Sequence, residues 1–326
     1  MRSNNISNAF PPPEFLNIPF AGLSISDSAI RCIQFGRKNG RLYIEKHIEK
    51  DIPSGVIVSG QINNKDALVS LLLALKKDLK LNYVKISLPE ERAYLFTAKI
   101  PIVKRNEVIS AIESKIEENV PVPPGELTFD YILTEHIQKG HLDVVVSTLP
   151  ISVIDIYVEI ASNAGLSLLS LEIESQAIAT ALLSHDNLDT VLIVNFYPNK
   201  VGLYVASLGV VHFTSTISTK GESFKNPDFL LQEINKLYVY WHTLKENLDK
   251  PERKIRQIII CGENFEDTVV KYLSLNIQTP VVLGNVWTNT FDINSEVPEI
   301  PFSNSLRFAA AVGLALPSDI LVQEFI

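Results

Sequence analysis

Residues 18–35, IPFAGLSISDSAIRCIQF, decide the fold. Ala21, Leu23 and Ile25 alternate with small or polar neighbours, Ser26-Asp27-Ser28 supplies turn chemistry, and Ile30, Cys32, Ile33 and Phe35 resume the apolar run. Alternation on both sides of a short polar break predicts a β-hairpin. Residues 190–206, TVLIVNFYPNKVGLYVA, repeat the plan around Pro198-Asn199, and residues 258–263, IIICGE, read as a buried strand ending in glycine.

Around these phrases the chain reads as alternating strands and helices. A third strand over 41–49 is followed by the Pro- and Gly-bearing loop 51–61. Asn64 then offers an N-cap for a helix whose Leu68, Leu71, Leu72, Leu75 and Leu79 share one face, and Val84, Ile86 and Leu88 form a strand stopped by Pro89. Residues 89–150 form a unit of their own. It has a strand over 94–100, a helix over 105–119 with Val108, Ile109, Ile112 and Ile116 inward, and two strands over 129–135 and 141–148 joined at Lys139-Gly140. A helix closed by Gly165 at its C′ position, a strand over 166–173 and a small-residue helix over 175–184 lead to a polar link, SHDNLD. After the second hairpin come a strand over 210–217, a long helix from about Asp228 to Leu248, a strand over 255–261, a helix over 266–273, a strand over 280–283 and a last helix near 305–316.

Composition narrows the function. At 326 residues two lobes or more are expected. A net charge of −8 with mixed signs argues against a nucleic-acid surface, which needs clustered Lys and Arg. Cys32 and Cys261 both lie in apolar strands and read as buried reduced thiols, as in a cytoplasmic protein. The apolar runs at 67–75 and 308–317 fall short of the about 20 residues a bilayer span requires, and the N-terminus lacks the apolar core of a secretory signal. The six histidines are scattered without a ligand spacing, and P-loop, G-x-S-x-G and kinase signatures are absent. The carboxylate pairs Glu90-Glu91 and Glu117-Glu118 sit beside element ends, where solvent exposure is expected.

Hairpin, hairpin, then strand-plus-glycine resembles the layout of the actin-like ATPase fold. GLSISDSAI (22–30), IPSGVIVSGQI (52–62), ISLPEE (86–91), EENVP (117–121), FDYIL (129–133), DVVVSTLP (143–150), NAGLSLLSLEIESQAIA (163–179), FTSTI (213–217), CGENFEDTVVKYLS (261–274) and RFAAAVGLAL (307–316) follow in an order similar to that of the PilM family. These are the FtsA-related proteins of type IV pilus assembly. The resemblance implies a two-lobed α/β fold with an inserted β-α-β-β (SHS2-like) subdomain and a reduced second-lobe upper subdomain. It divides the chain into a flexible tail at 1–17, a first lobe at 18–88 and 151–188, the insert at 89–150, and a second lobe at 189–326 whose upper part is reduced to 226–250.

In this superfamily the two hairpins grip nucleotide phosphates, and an Asp on each first strand holds Mg²⁺ through water. Here those Asp positions are Ser24 and Asn195, the glycine positions are Ser26 and Tyr197, and Gly262 is followed by Glu263 where a second glycine is usual. Asp27 reads as a turn residue that caps its own backbone rather than as a replacement carboxylate. Lys220-Gly221 runs almost at once into the Pro227 helix, which shortens one wall of the cleft. Ser24, Ser26, Asp27, Asn195, Tyr197, Gly221, Gly262 and Glu263 are therefore read as vestigial cleft positions, with Tyr197 and Glu263 filling the cleft and no catalytic or metal residue expected.

Two readings follow from the resemblance. One is a pseudo-ATPase scaffold of a type IV pilus, type II secretion or competence system, without cofactor. It would hold the N-terminal peptide of a PilN-like inner-membrane protein between the first lobe and the insert, and so stay cytoplasmic and peripheral to the inner membrane. Other proteins of the pilus inner-membrane complex and self-association stay open as further partners. The other reading is an ATP- and Mg²⁺-binding switch or polymerising cytoskeletal protein.

Overall fold

The computed structural model describes residues 18–38, 41–104, 107–138, 141–218, 227–245, 247–248, 250–291 and 298–317, with the side chains of 135–138 left out. The expected N-terminal tail, the Lys139-Gly140 turn, the start of the 105–119 helix and Gly221 lie outside these residues.

Strands β1 (Phe20–Ile25), β2 (Ala29–Lys38) and β3 (Arg41–Asp51) form an antiparallel meander, and β4 (Ile57–Val58) and β5 (Gln61–Ile62) make a small hairpin beside it. Helix α1 (Lys65–Leu79) starts where Asn64 accepts the Ala67 N–H, and it buries Leu68, Leu72 and Leu75. Strand β6 (Tyr83–Leu88) lies parallel to β1, with β10 (Ser167–Ile173) parallel to β6 on its far side. Between them come β7 (Tyr94–Pro101), α2 (Val108–Asn119), β8 (Leu127–Gln138), β9 (His141–Pro150) and α3 (Ile151–Asn163). Helix α4 (Glu174–Leu182) follows β10, and then β11 (Thr190–Phe196), β12 (Lys200–Ser207) and β13 (Val210–Ser218) make a second meander. Helix α5 (Pro227–Thr243), β14 (Ile255–Gly262), α6 (Asp267–Asn276), β15 (Val281–Leu283), α7 (Phe302–Ser305) and α8 (Ala309–Ala315) complete the order.

The two large sheets share one plan. The first runs β3-β2-β1-β6-β10 and the second β13-β12-β11-β14-β15, each a three-stranded meander continued by two parallel strands. Parallel neighbours need crossovers, and α1, α3, α5 and α6 supply them. The insert has its own three-stranded sheet, β7-β9-β8, and its own core around Ile100, Ile112, Ile116 and Val144. Between the large sheets α4 and α8 cross closely enough that a Cβ on Gly313 would stand 1.8 Å from the Ala177 carbonyl oxygen. Their small residues join Ile33, Ile193, Tyr204 and Trp287 in one core spanning both sheets. Cys32 and Cys261 are free and buried, and burial pushes the Cys32 thiol up to about 12. Among the described residues no helix is long and apolar enough to cross a membrane.

Three local expectations are corrected. Ile109 is 51% exposed rather than inward. The buried stripe of α2 is Val108, Ile112 and Ile116, and Ile109 lies about 100° around the helix from Val108. Helix α5 stops at Thr243 rather than Leu248, where the Thr243 hydroxyl donates to Tyr240 O (3.1 Å) and Asn247 Nδ2 donates to Trp241 O (2.9 Å), capping two of its last carbonyls. The final helix is broken at Phe308, whose φ of −91° and ψ of 5° depart from helical values, so α7 and α8 are separate.

Candidate functional site

The two hairpins meet across the space between the lobes, where their side chains bond to protein. Ser24 Oγ donates to Glu174 Oε1 (3.3 Å). Ser26 Oγ closes its own turn, accepting the Ala29 N–H (3.1 Å) and donating to Ala29 O (3.1 Å). Asp27 corrects its expectation: its carboxylate caps Ser59 N (2.9 Å) and Gly60 N (3.0 Å), in the left-handed turn between β4 and β5, rather than its own backbone. Asn195 Oδ1 accepts from Cys261 Sγ (3.3 Å), and Tyr197 is buried with its hydroxyl 3.2 Å from that of Tyr204. Gly262 has φ of +96°, and a Cβ there would stand 2.1 Å from Phe196 O, so packing against β11 alone accounts for the glycine. Glu263 is buried and pairs with Arg31 (2.6 Å), which also holds Glu49 (2.8 Å). Burial pulls the Arg31 pKa down, but Glu263 and Glu49 outweigh it and raise it.

The Glu90-Glu91 pair is the largest surprise. It is not solvent-exposed: Glu90 retains 4% of its surface, and its side chain receives the Tyr204 hydroxyl from the other lobe. Glu91 pairs with Lys200, whose ammonium also stands 4.0 Å from Asp27 and 4.6 Å from the Tyr197 ring centroid. Burial, reinforced by Glu174 and Glu91, pushes Glu90 up to about 8, although Lys200 and Tyr204 oppose it. Burial likewise raises Glu174 to about 7, with Lys200 opposing. Burial would lower Lys200, but Glu91, Glu90, Asp27 and Glu174 together push it well above its ordinary value. One ammonium thus sits among four acids, and burial disfavours the ionised form of Glu90 and Glu174.

These bonds occupy the cleft floor. Among Arg31, Glu174, Asn195, Tyr197, Gly262 and Glu263 about 10 Å³ remains, whereas small-molecule sites usually offer about 300–1,000 Å³. Above the floor a mouth of about 450 Å³ opens between the hairpin turns, with Asp27 and Glu91 as its acids and Lys200 as its cation. A nucleoside triphosphate seated between the lobes would have to part Arg31 from Glu263 and Lys200 from Glu91, and place its phosphates against carboxylates. The residues present do not fit it. Among the described residues no group of three His, Cys, Asp or Glu side chains is placed to hold a metal ion.

A second concavity lies on the other side of Glu90. It measures about 500 Å³ and is bordered by β8 (128–132), β10 (170–173) and β13 (Val210, Val211, Thr214). Each of these is an edge strand of its sheet, so three sheet edges converge on one groove. Its lining is mostly apolar, and its charged residues are Glu90, Asp130 and Glu172, all acidic. Burial raises Glu172 to about 7, with Lys85 opposing. Polar contacts tie the insert to the second lobe: Thr97 Oγ1 lies 3.4 Å from His212 Nδ1, and Lys250 reaches the buried Asp143 at 3.8 Å. His212 is held down to about 3 by burial and by Arg253, and so stays neutral.

The structure therefore brings Ser24, Asn195, Tyr197, Gly262 and Glu263 together between the lobes, turns Ser26 to its own turn and commits Asp27 to the distant turn of Ser59 and Gly60. Sequence reasoning missed Arg31, Glu90, Glu91, Glu174, Lys200 and Tyr204. A signal existed for Arg31, since a charge inside the apolar run Ile30 to Phe35 demands a buried partner.

A model of the family described as "Type IV pilus assembly protein PilM" matches residues 22–239, more than half of the chain. Among solved structures, the "PilM-PilN type IV pilus biogenesis complex" superposes with a TM-score of 0.75 at 15% identity, covering 91% of this chain and 98% of that one. The cytoplasmic domain of EpsL, an inner-membrane component of the type II secretion system of Vibrio cholerae, superposes with a TM-score of 0.51 at 9% identity, covering 95% and 100%. No curated protein matches by sequence. The fold is the actin-like ATPase fold, and the chain belongs to the family of the type IV pilus assembly protein PilM.

Proposed function

We propose that this protein is a nucleotide-independent platform of pilus assembly that holds an extended segment of a PilN-like membrane protein in the groove between the first lobe and the insert. The observation that carries the reading is the convergence of β8, β10 and β13, three sheet edges, on an apolar groove of about 500 Å³. Edge strands offer backbone N–H and C=O groups to an added strand, and the apolar walls offer seats for alternate side chains. A membrane partner would supply the anchoring that no described helix provides. The filled cleft floor supports a pseudo-ATPase role, because the Arg31–Glu263 and Lys200–Glu91 pairs bridge it and leave about 10 Å³.

The test is a titration of the protein with the N-terminal cytoplasmic segment of the PilN-like protein of the same organism, alongside an Ile132→Asp variant. Ile132 lines the groove on β8. Binding by the unaltered protein, weakened at least tenfold by the substitution, is the expected result. Full binding by the variant would move the partner elsewhere.

A further inference from the structure

Three polar groups in the groove stand out from its apolar walls. Glu90 is 4% exposed and Ser175 is 1% exposed, and both line the groove. Glu90 Oε2 and Ser175 Oγ have no hydrogen-bond partner among the described residues. Glu172, on the edge strand β10, lines the same groove. Buried polar atoms are seldom left unpaired, so such atoms bordering a cavity mark where a partner's polar group belongs. The other Glu90 oxygen is gripped by the Tyr204 hydroxyl, which fixes the carboxyl against the second lobe and leaves Oε2 free.

The chemistry of the missing group follows from charge. Among the described residues the groove is lined by Glu90, Glu172 and Asp130 and by no Lys or Arg. We infer that the segment held in this groove carries a lysine or arginine side chain that reaches Glu90, in a groove that Glu172 makes more acidic, and that this anchor sets the segment's register. The inference rests on the groove reading above. An ammonium or guanidinium there would meet a carboxyl whose ionisation burial disfavours. The charges facing Glu90 are Glu91 beside it, Glu174 on α4, and Lys200 on β12, which is already committed to Glu91; Tyr204 faces it as a neutral hydroxyl. The charge facing Glu172 is Lys85 on β6, whose ammonium lies 4.5 Å from the Phe20 ring centroid and 3.5 Å from Leu316 O. Entry of a cation favours the ionised carboxyls, so binding releases protons and tightens as pH rises through the range where the free groups titrate.

The experiment is calorimetric titration of the whole chain with the synthetic N-terminal cytoplasmic segment of the PilN-like protein, at about pH 6 and about pH 8, in two buffers of different ionisation enthalpy. A second peptide replaces each Lys or Arg by norleucine, which keeps length and apolarity. The unaltered pair should tighten about tenfold from pH 6 to pH 8 and release up to about one proton near pH 7. The norleucine peptide should bind about tenfold more weakly at pH 8 and lose the pH dependence. Glu90→Gln, with a melting curve to confirm folding, should weaken the basic peptide by a similar factor while leaving the norleucine peptide unchanged, which isolates the pairing. Glu172→Gln, which removes a half-buried acid of the groove but not the anchor, should weaken the basic peptide by less than Glu90→Gln does. If the norleucine peptide binds within twofold of the basic one with the same pH profile, the anchor is overturned and the groove reading stands. If neither peptide binds, the groove reading falls and the anchor with it.

Discussion

The cleft and the groove are separated by one short helical turn, Glu90–Arg92, and they have opposite characters. On one side Glu91 enters the cleft and finds Lys200; on the other Glu90 lines the groove and keeps one oxygen unpaired. The cleft floor has about 10 Å³ left and an ion pair across it, while the groove keeps about 500 Å³ and, among the described residues, acids without a cation in its wall. Two concavities in one fold thus differ in whether the protein has already supplied their ligands. Function therefore has to be argued from the site rather than from the fold.

The largest effect should come from breaking the cleft's charge balance. Lys200→Met leaves Glu91 without its partner and should cost about 3–5 kcal/mol in urea unfolding, as for other partly broken buried ion pairs. A loss below about 1 kcal/mol would mean that the lobes are held by the α4–α8 core alone. Next is Gly262→Ala, which forces a side chain into a φ of +96° beside Phe196 O and should cost about 1–3 kcal/mol without altering partner binding. An effect on a bound ligand instead of on stability would give that glycine the role it has in a working nucleotide site.

Stability should also depend on pH with a definite sign. Glu90 and Glu174 have pKa values raised to about 8 and about 7, so the folded protein holds protons that the unfolded chain releases. Their contribution is fully present below the ordinary carboxyl range and is lost as pH rises through those values. Melting temperature should therefore fall from about pH 5 to about pH 8, and Glu90→Gln should flatten the slope. A rising profile that the substitution leaves intact would contradict the burial argument. The smallest effect belongs to the groove rim: Asp130 is exposed, so Asp130→Asn should change partner affinity by less than about twofold.

Much of the architecture was legible because it depends on local chemistry. The alternation around Ser26-Asp27-Ser28 and around Pro198-Asn199 specified both hairpins, Asn64 marked the start of α1, and Gly165 (φ +65°) the end of α3. Helix faces were legible where apolar spacing was unambiguous, and failed at Ile109, where two adjacent branched residues compete for one stripe and only the contact with the sheet decides. The candidate site was far less legible. Ser24, Asn195, Tyr197 and Glu263 could be picked out by resemblance, but their bonds could not. Glu90 owes its burial to Tyr204 and Glu91 to Lys200, partners more than a hundred positions away, and a Glu-Glu dipeptide after a proline carries no local sign of that. Asp27 shows the same limit: its turn chemistry was right, but the turn it caps is that of Ser59 and Gly60.

The most direct test of a closed cleft beside an open groove is a pair of calorimetric titrations on the unaltered protein. One uses ATP with Mg²⁺ at millimolar concentration, the other the N-terminal cytoplasmic segment of the PilN-like partner. The account predicts saturable heat with the peptide and none with the nucleotide, with a peptide affinity unchanged when ATP is present. Micromolar binding of ATP, or a peptide affinity that depends on it, would contradict the account.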